Sequence, residues 1–149
     1  MNFILCGEQF PMIRKRLAKI LKERLKEPDD FNTVKIDLDE SSVDEVIMEA
    51  SLLPLGYDKK AVVVDNASFL QKDAKEEDKK KILECLNNSI DEINLIFILR
   101  NDKLDKNSEI TKNIQENGQI FEFLNLKKED WPVYCRKYFR NCSRRTQKI

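Results

Sequence analysis

Residues 59–66 read Lys59-Lys60-Ala61-Val62-Val63-Val64-Asp65-Asn66, and the four apolar positions in their middle decide the fold. A half-buried strand alternates apolar and polar residues. Ala61–Val64 is apolar at successive positions, as a strand buried on both faces must be. Leu95–Leu99, "LIFIL", repeats the pattern, and Phe3–Cys6, Val34–Leu38 and Ile120–Leu124 are further short runs rich in Val, Ile and Phe. Such runs suit strands of a parallel sheet.

Helical patterns fill the intervals. Ile13, Leu17, Ile20, Leu21 and Leu25 recur at spacings of three and four, with Arg14, Lys15, Lys19 and Lys22 on the opposite face. Pro11 suits the first turn of that helix, where its missing N–H costs nothing. A second helix opens on Ser42-x-x-Glu45, a capping-box spacing, and turns Val43, Val46, Ile47 and Ala50 inward. A third is expected over about 75–89, with Ile82, Cys85 or Leu86, and Ile90 as its stripe. A fourth spans about 108–116, stopped by Asn117-Gly118. A last one covers about 127–140, with Trp131, Tyr134, Cys135, Tyr138 and Phe139 on its apolar side. Strand–helix alternation with short crossovers means right-handed βαβ units. The expected fold is therefore α/β, a five-stranded parallel sheet with helices on both faces. Residues 1–140 form one domain, and 141–149, which lack an apolar stripe, read as the start of a linker.

Composition narrows the function. The chain has 149 residues, 27 Lys plus Arg against 27 Asp plus Glu, and no His. Balanced charge sets up no global field for nucleic acid or membrane. Absence of His removes the commonest general base, the commonest zinc ligand and every Ser-His or Cys-His nucleophile pair. Cys6, Cys85, Cys135 and Cys142 form no CxxC and read as reduced thiols. The N-terminus lacks the basic and apolar regions of a secretory signal, and no run approaches the ~20 apolar residues of a membrane helix. A cytoplasmic protein with no cofactor, no metal and no membrane partner is expected.

In an open α/β sheet, ligands bind beyond the carboxyl ends of the strands. The first such loop is "CGEQFPMIRK", Cys6–Lys15. Laid from Gly7 on the phosphate-loop spacing G-x-x-x-x-G-K-[ST], the second Gly falls on Met12, the Lys on Ile13 and the hydroxyl on Arg14, and Pro11 deletes an N–H donor. A G-x-G-x-x-G loop fails as well. The third strand closes on Asp65-Asn66, where an ATPase would keep its Mg²⁺ carboxylate and then a Glu base. Asn66 cannot take that proton. Asp65-Asn66 opening a turn is the simpler reading, and a phospho-acceptor role for Asp65 is a third. The segment 72–81, "KDAKEEDKKK", reads as a solvated helix face with i,i+4 pairs. Arg136, Lys137, Arg140, Arg144, Arg145 and Lys148 make a basic C-terminus, either a solvated linker or a DNA contact.

With "ILCGEQFPMIRKRL", "SLLPLGYDKKAVVVDNASFL" and "LIFILRNDKLDK" in this order and spacing, residues 1–140 resemble the N-terminal domain of the delta subunit of the bacterial DNA polymerase III clamp loader. The resemblance implies an AAA+-like, P-loop-NTPase-like domain without a functional P-loop, and strand order 5-1-4-3-2. It implies no catalysis by this domain, which would serve a DNA-directed DNA polymerase (nucleotidyltransferase) complex in DNA replication. It also implies a lid domain and a C-terminal oligomerisation domain, through which other clamp-loader subunits are met, with DNA a partner of the whole complex. Its partner would be the sliding clamp (beta), bound by a Leu and a Phe at the end of the second helix. Here that element is Leu52, Leu53, Leu55, Gly56 and Tyr57: the Leu position is Leu55, the Phe position is Gly56, and the aromatic is displaced to Tyr57.

Adjacent helical residues point about 100° apart, so Leu52 and Leu53 cannot both face inward, and one is expected in the core. Leu55 and Tyr57 follow Pro54, beyond the helix's packing face. An exposed Leu–aromatic pair is the anchor type that fills a partner's pocket; burial within the domain is the alternative for both. Against this interaction protein stands an enzyme class, a degenerate ATPase or a receiver-like phospho-transfer domain using Asp65.

Overall fold

The computed structural model describes residues 1–26, 28, 32–52, 56 and 58–123. The strands are β1 (Asn2–Gly7), β2 (Thr33–Asp37), β3 (Lys60–Asp65), β4 (Ile93–Leu99) and β5 (Gln119–Phe123). They form one sheet in the order β2-β3-β4-β1-β5, all neighbours parallel, which read from the other edge is the expected 5-1-4-3-2. The helices are α1 (Phe10–Leu25), α2 (Val43–Ser51), α3 (Glu76–Asn87) and α4 (Glu109–Asn117). The helix expected over 127–140, its aromatic stripe and the linker at 141–149 lie outside the described residues.

The double burial read from Ala61–Val64 is real. Val62 and Val64 join Ile4, Cys6, Leu95, Phe97 and Leu99 on one face, against Val43, Val46 and Ala50 of α2, Ile82 and Leu86 of α3, and Ile110 and Ile114 of α4. Ala61 and Val63 join Phe3, Leu5, Ile96 and Ile98 on the other, against Ile13, Ile20 and Leu25 of α1. Period-two alternation thus feeds two cores at once. In the first, Phe69 of the 3-10 turn Ser68–Leu70 meets Phe97 edge to face, with ring centroids 4.9 Å apart.

Local chemistry departs from the sequence reading in three places. Ser42 is the N-cap of α2, yet its hydroxyl caps nothing; the Glu45 N–H donates to the Ser42 carbonyl at 3.2 Å, so the capping box is not made. Leu38 leaves β2, because the Asp37 carboxylate accepts the Asp39 N–H at 2.9 Å and turns the chain. Gly118 ends α4 at φ −147°, not in the left-handed region. Glycine is needed because a Cβ there would run into the Asn2 carbonyl. The charge run 72–81 does form surface pairs, Lys81 with Glu77 and Asp44, and Lys79 with Glu76. No described helix is long and apolar enough to cross a membrane.

Candidate functional site

At the carboxyl edge of the sheet, the loop after β1 stands where a phosphate would be held. Its backbone donors are engaged within the chain. Glu8 and Gln9 both donate to the Phe123 carbonyl of β5, at 3.0 and 3.1 Å. Phe10 donates to the Glu8 carbonyl, and Met12 and Ile13 to the Gln9 carbonyl, while Pro11 has no N–H. The turn requires Gly7, whose φ is +131° and where a Cβ would collide with the Phe123 carbonyl. The loop is therefore tied down on β5 through the Glu8 and Gln9 N–H groups.

Asp65 and Asp37 lie side by side at the ends of β3 and β2. Arg100, just past β4, donates from Nε and Nη2 to the two Asp65 oxygens, each at 2.9 Å. Asn66 Nδ2 donates to Asp37 Oδ1 at 2.8 Å. That bond, then the Asp39 N–H and the Arg100 charge, hold the Asp37 carboxyl below its ordinary range. Asn66 sits at φ +54°, a conformation Asn tolerates, so Asp65-Asn66 does open a turn. The Arg100 guanidinium lies 5.4 Å from the ring centroid of Phe10, itself 41% exposed. Arg100 and Asn66 thus answer the two carboxylates. Sequence reading missed Arg100, though a signal existed: neighbouring apolar strands close on Asp65 and Arg100, opposite charges. Among the described residues no three Cys, Asp or Glu side chains gather as a metal site requires.

Neither Cys6 nor Cys85 is shifted toward the thiolate. Burial, then the Glu122 carboxylate, pushes Cys6 up to about 12, and burial raises Cys85.

The second candidate region lies at the opposite, amino-terminal edge, where the chain passes from α2 into β3. Leu52 follows the helix and is 50% exposed, so it is not the inward leucine of its pair. Met48, one turn earlier, is 52% exposed. Gly56 is exposed, at φ +76°, with open space where a Cβ would stand. That backbone disfavours any bulky side chain, a physical reason for no Phe at this position. Leu53, Pro54, Leu55 and Tyr57 lie outside the described residues. Sequence reading also missed Lys60, whose buried ammonium reaches the end of α2: Nζ donates to the Glu49 carboxylate at 2.8 Å, the Glu49 carbonyl at 2.8 Å and the Leu52 carbonyl at 3.3 Å.

Comparison with known proteins agrees with this architecture. The family model described as "DNA polymerase III, delta subunit" matches residues 3–124. The DNA polymerase III subunit delta of Bacillus subtilis (strain 168) is 23% identical over 133 residues, covering 86% of this chain and 38% of that one. The structure of the Bacillus subtilis DNA clamp loader delta protein superimposes with a TM-score of 0.71 at 20% identity, over 87% of this chain and 40% of its own. A DNA polymerase III gamma subunit-related protein from Thermotoga maritima gives a TM-score of 0.55 at 14% identity, over 87% of this chain and 42% of its own, a likeness of fold alone. The chain spans about two fifths of the length of these relatives.

Proposed function

The chain belongs to the DNA polymerase III delta-subunit family, and from that premise we propose that it is the clamp-binding part of a clamp loader, an AAA+-like domain that docks on the sliding clamp and helps to open it without hydrolysing ATP. The observation that carries this reading is Leu52, set half-exposed at the head of Leu-Leu-Pro-Leu-Gly-Tyr instead of packed under its own helices. Leu52, Leu53, Leu55 and Tyr57 supply the apolar anchors, and Gly56 the backbone freedom between the last two. Apolar anchors entering a preformed pocket give an interface most of its affinity.

Opening follows from differential affinity. A wedge shifts a ring toward its open form only as far as it binds the open interface more tightly than the closed one. No chemistry is required of this domain. ATP would be hydrolysed in neighbouring subunits, met through a C-terminal oligomerisation domain, with DNA bound by the assembled complex. Two features support the absence of turnover here: the loop after β1 has its N–H groups engaged, and Arg100 occupies the Asp65 carboxylate that a Mg²⁺ ion would need. The degenerate-ATPase alternative needs both groups free, and the phospho-transfer alternative needs a free Asp65 carboxylate. The domain reaches to about residue 140 in this reading, with 141–149 leading toward the lid.

A paired experiment tests it. The chain should retain its cognate sliding clamp in a pull-down, and magnesium ATP should leave its melting temperature unchanged. Failure to retain the clamp, or a magnesium-dependent ATP affinity in the low micromolar range, would refute the proposal.

A further inference from the structure

We infer that the outer surface of α1 is a contact for the phosphate backbone of duplex DNA, carried by Lys15, Lys19 and Lys22. The inference is independent of the docking reading, and its test uses no clamp.

The balanced total charge conceals a separation. Residues 10–26 hold seven Lys or Arg and one acid, Glu23, whereas residues 37–52 hold six Asp or Glu and no Lys or Arg. The basic segment is α1 with its C-cap Lys26, on one face of the sheet. The acidic segment runs from the end of β2 through α2, which packs on the other face. A neutral chain built this way has a positive side and a negative side, and its field turns the positive side toward a polyanion.

Stability does not account for the charges of α1. A helix gains from acids in its first turn and from i,i+4 pairs of opposite sign. α1 has no acid in its first turn, and Lys15 and Lys19 stand at i,i+4 with like charge. Lys19 meets Glu23 at 4.0 Å, while among the described residues Arg14, Lys15 and Lys22 have no ion pair. Arg16 and Arg24 are engaged within the fold. The Arg16 guanidinium lies 4.5 Å from the Phe121 ring centroid, and Arg24 Nε donates to Asn94 Oδ1 at 3.1 Å. α3 shows the contrast, since its Lys79 and Lys81 both pair with acids. Sites where local rules are broken without a local gain are where function is expected.

The geometry suits a strand of phosphates. Lys15, Lys19 and Lys22 are exposed and follow at i, i+4 and i+7, so they form one stripe about 10 Å long at 1.5 Å per residue. At about 3.4 Å of axis per phosphate, one strand of a duplex presents about three phosphates over that length. Other partners fit less well. A helix lying on a membrane buries its apolar face in lipid, and Ile13, Ile20 and Leu25 of α1 are already buried against the sheet. Protein interfaces are depleted in Lys and centred on apolar and aromatic anchors, whereas this stripe is made of Lys.

The test is fluorescence anisotropy of a short labelled DNA duplex of mixed sequence, titrated with the chain over a range of salt. Lys15→Gln, Lys19→Gln and Lys22→Gln combined should weaken binding at least about tenfold at low salt. They should also lower the slope of log affinity against log salt by about three, roughly one per phosphate contact. Lys72→Gln, Lys75→Gln and Lys80→Gln combined remove the same charge from exposed positions in and before α3. That control should stay within about twofold of wild type near 0.1 M salt, where charges more than about 10 Å away are screened. All six side chains are exposed, so both variants should keep the melting temperature within a few degrees. If the α1 variant does not fold, Lys15→Gln alone should lower the slope by about one. Failure of the wild-type chain to bind the duplex at low salt would overturn the inference, as would an equal loss in the α3 control. Unchanged binding by the α1 variant would overturn it too, and would place the contact in the basic C-terminus. Tighter binding of single-stranded DNA, or α1-dependent binding of phosphatidylserine vesicles in place of DNA, would contradict the assignment to a duplex.

Discussion

Arg100 grips Asp65 in two parallel hydrogen bonds, each 2.9 Å long, across the ends of neighbouring strands. A bidentate guanidinium–carboxylate pair is the strong form of an ion pair, with geometry as well as charge in its favour. It stands at the carboxyl edge, where open α/β sheets bind their ligands. Arg100 thus holds the Asp65 carboxylate in a structural pair.

Nucleotide should therefore have no effect. Saturating magnesium ATP is expected to move the melting temperature by less than about 1 °C, because a ligand stabilises only what it binds. Arg100→Ala should cost about 0.5–1 kcal/mol in denaturant unfolding, since both partners are partly exposed and solvent screens them. A clear magnesium-dependent shift, or a loss several times larger, would show that the pair has another role.

Acid stability should carry the signature of Asp37. Its carboxyl lies below the ordinary value of about 3.9, first because of Asn66. A depressed carboxyl contributes stability that is full above the unfolded value and is lost as pH falls through the folded one. Asn66→Gly keeps the positive φ and deletes the amide, so the Asp37 carboxyl should titrate closer to its ordinary value, as followed by carbon NMR. An unmoved titration would contradict the assignment.

Gly56 offers a backbone test free of packing. With φ at +76° and open space around the missing Cβ, Gly56→Ala should cost about 1–2 kcal/mol from conformation alone. Gly56→Asn should cost less, since Asn tolerates this region. Equal stability of all three proteins in urea would mean that the positive φ is not held.

The sequence read well where one local rule governed and poorly where distant groups met. Ala61–Val64 and Leu95–Leu99 announced doubly buried strands because burial on both faces removes every polar position. The edge strand β2 was less sharp, since Asp37 turns the chain one residue before its apolar run ends at Leu38. Ser42 and Glu45 had the capping spacing without the cap, because a backbone carbonyl met the Glu45 N–H first. Leu52 was legible as half of a pair that cannot both be buried. Lys60 was not: at the head of a strand it reads as a solvated charge, and nothing in spacing places it on the carbonyl of Leu52 or the carboxylate of Glu49.

The most direct test of the docking account is the clamp affinity of the chain with both Leu55→Ala and Tyr57→Ala. Burying each anchor contributes roughly 1.5–3 kcal/mol. The double substitution should therefore weaken binding by about 3–5 kcal/mol, on the order of a few hundred-fold or more. The melting temperature should stay within a few degrees of wild type. Binding at wild-type affinity, or loss of the folded state, would contradict the account and make Leu55 and Tyr57 residues of the core.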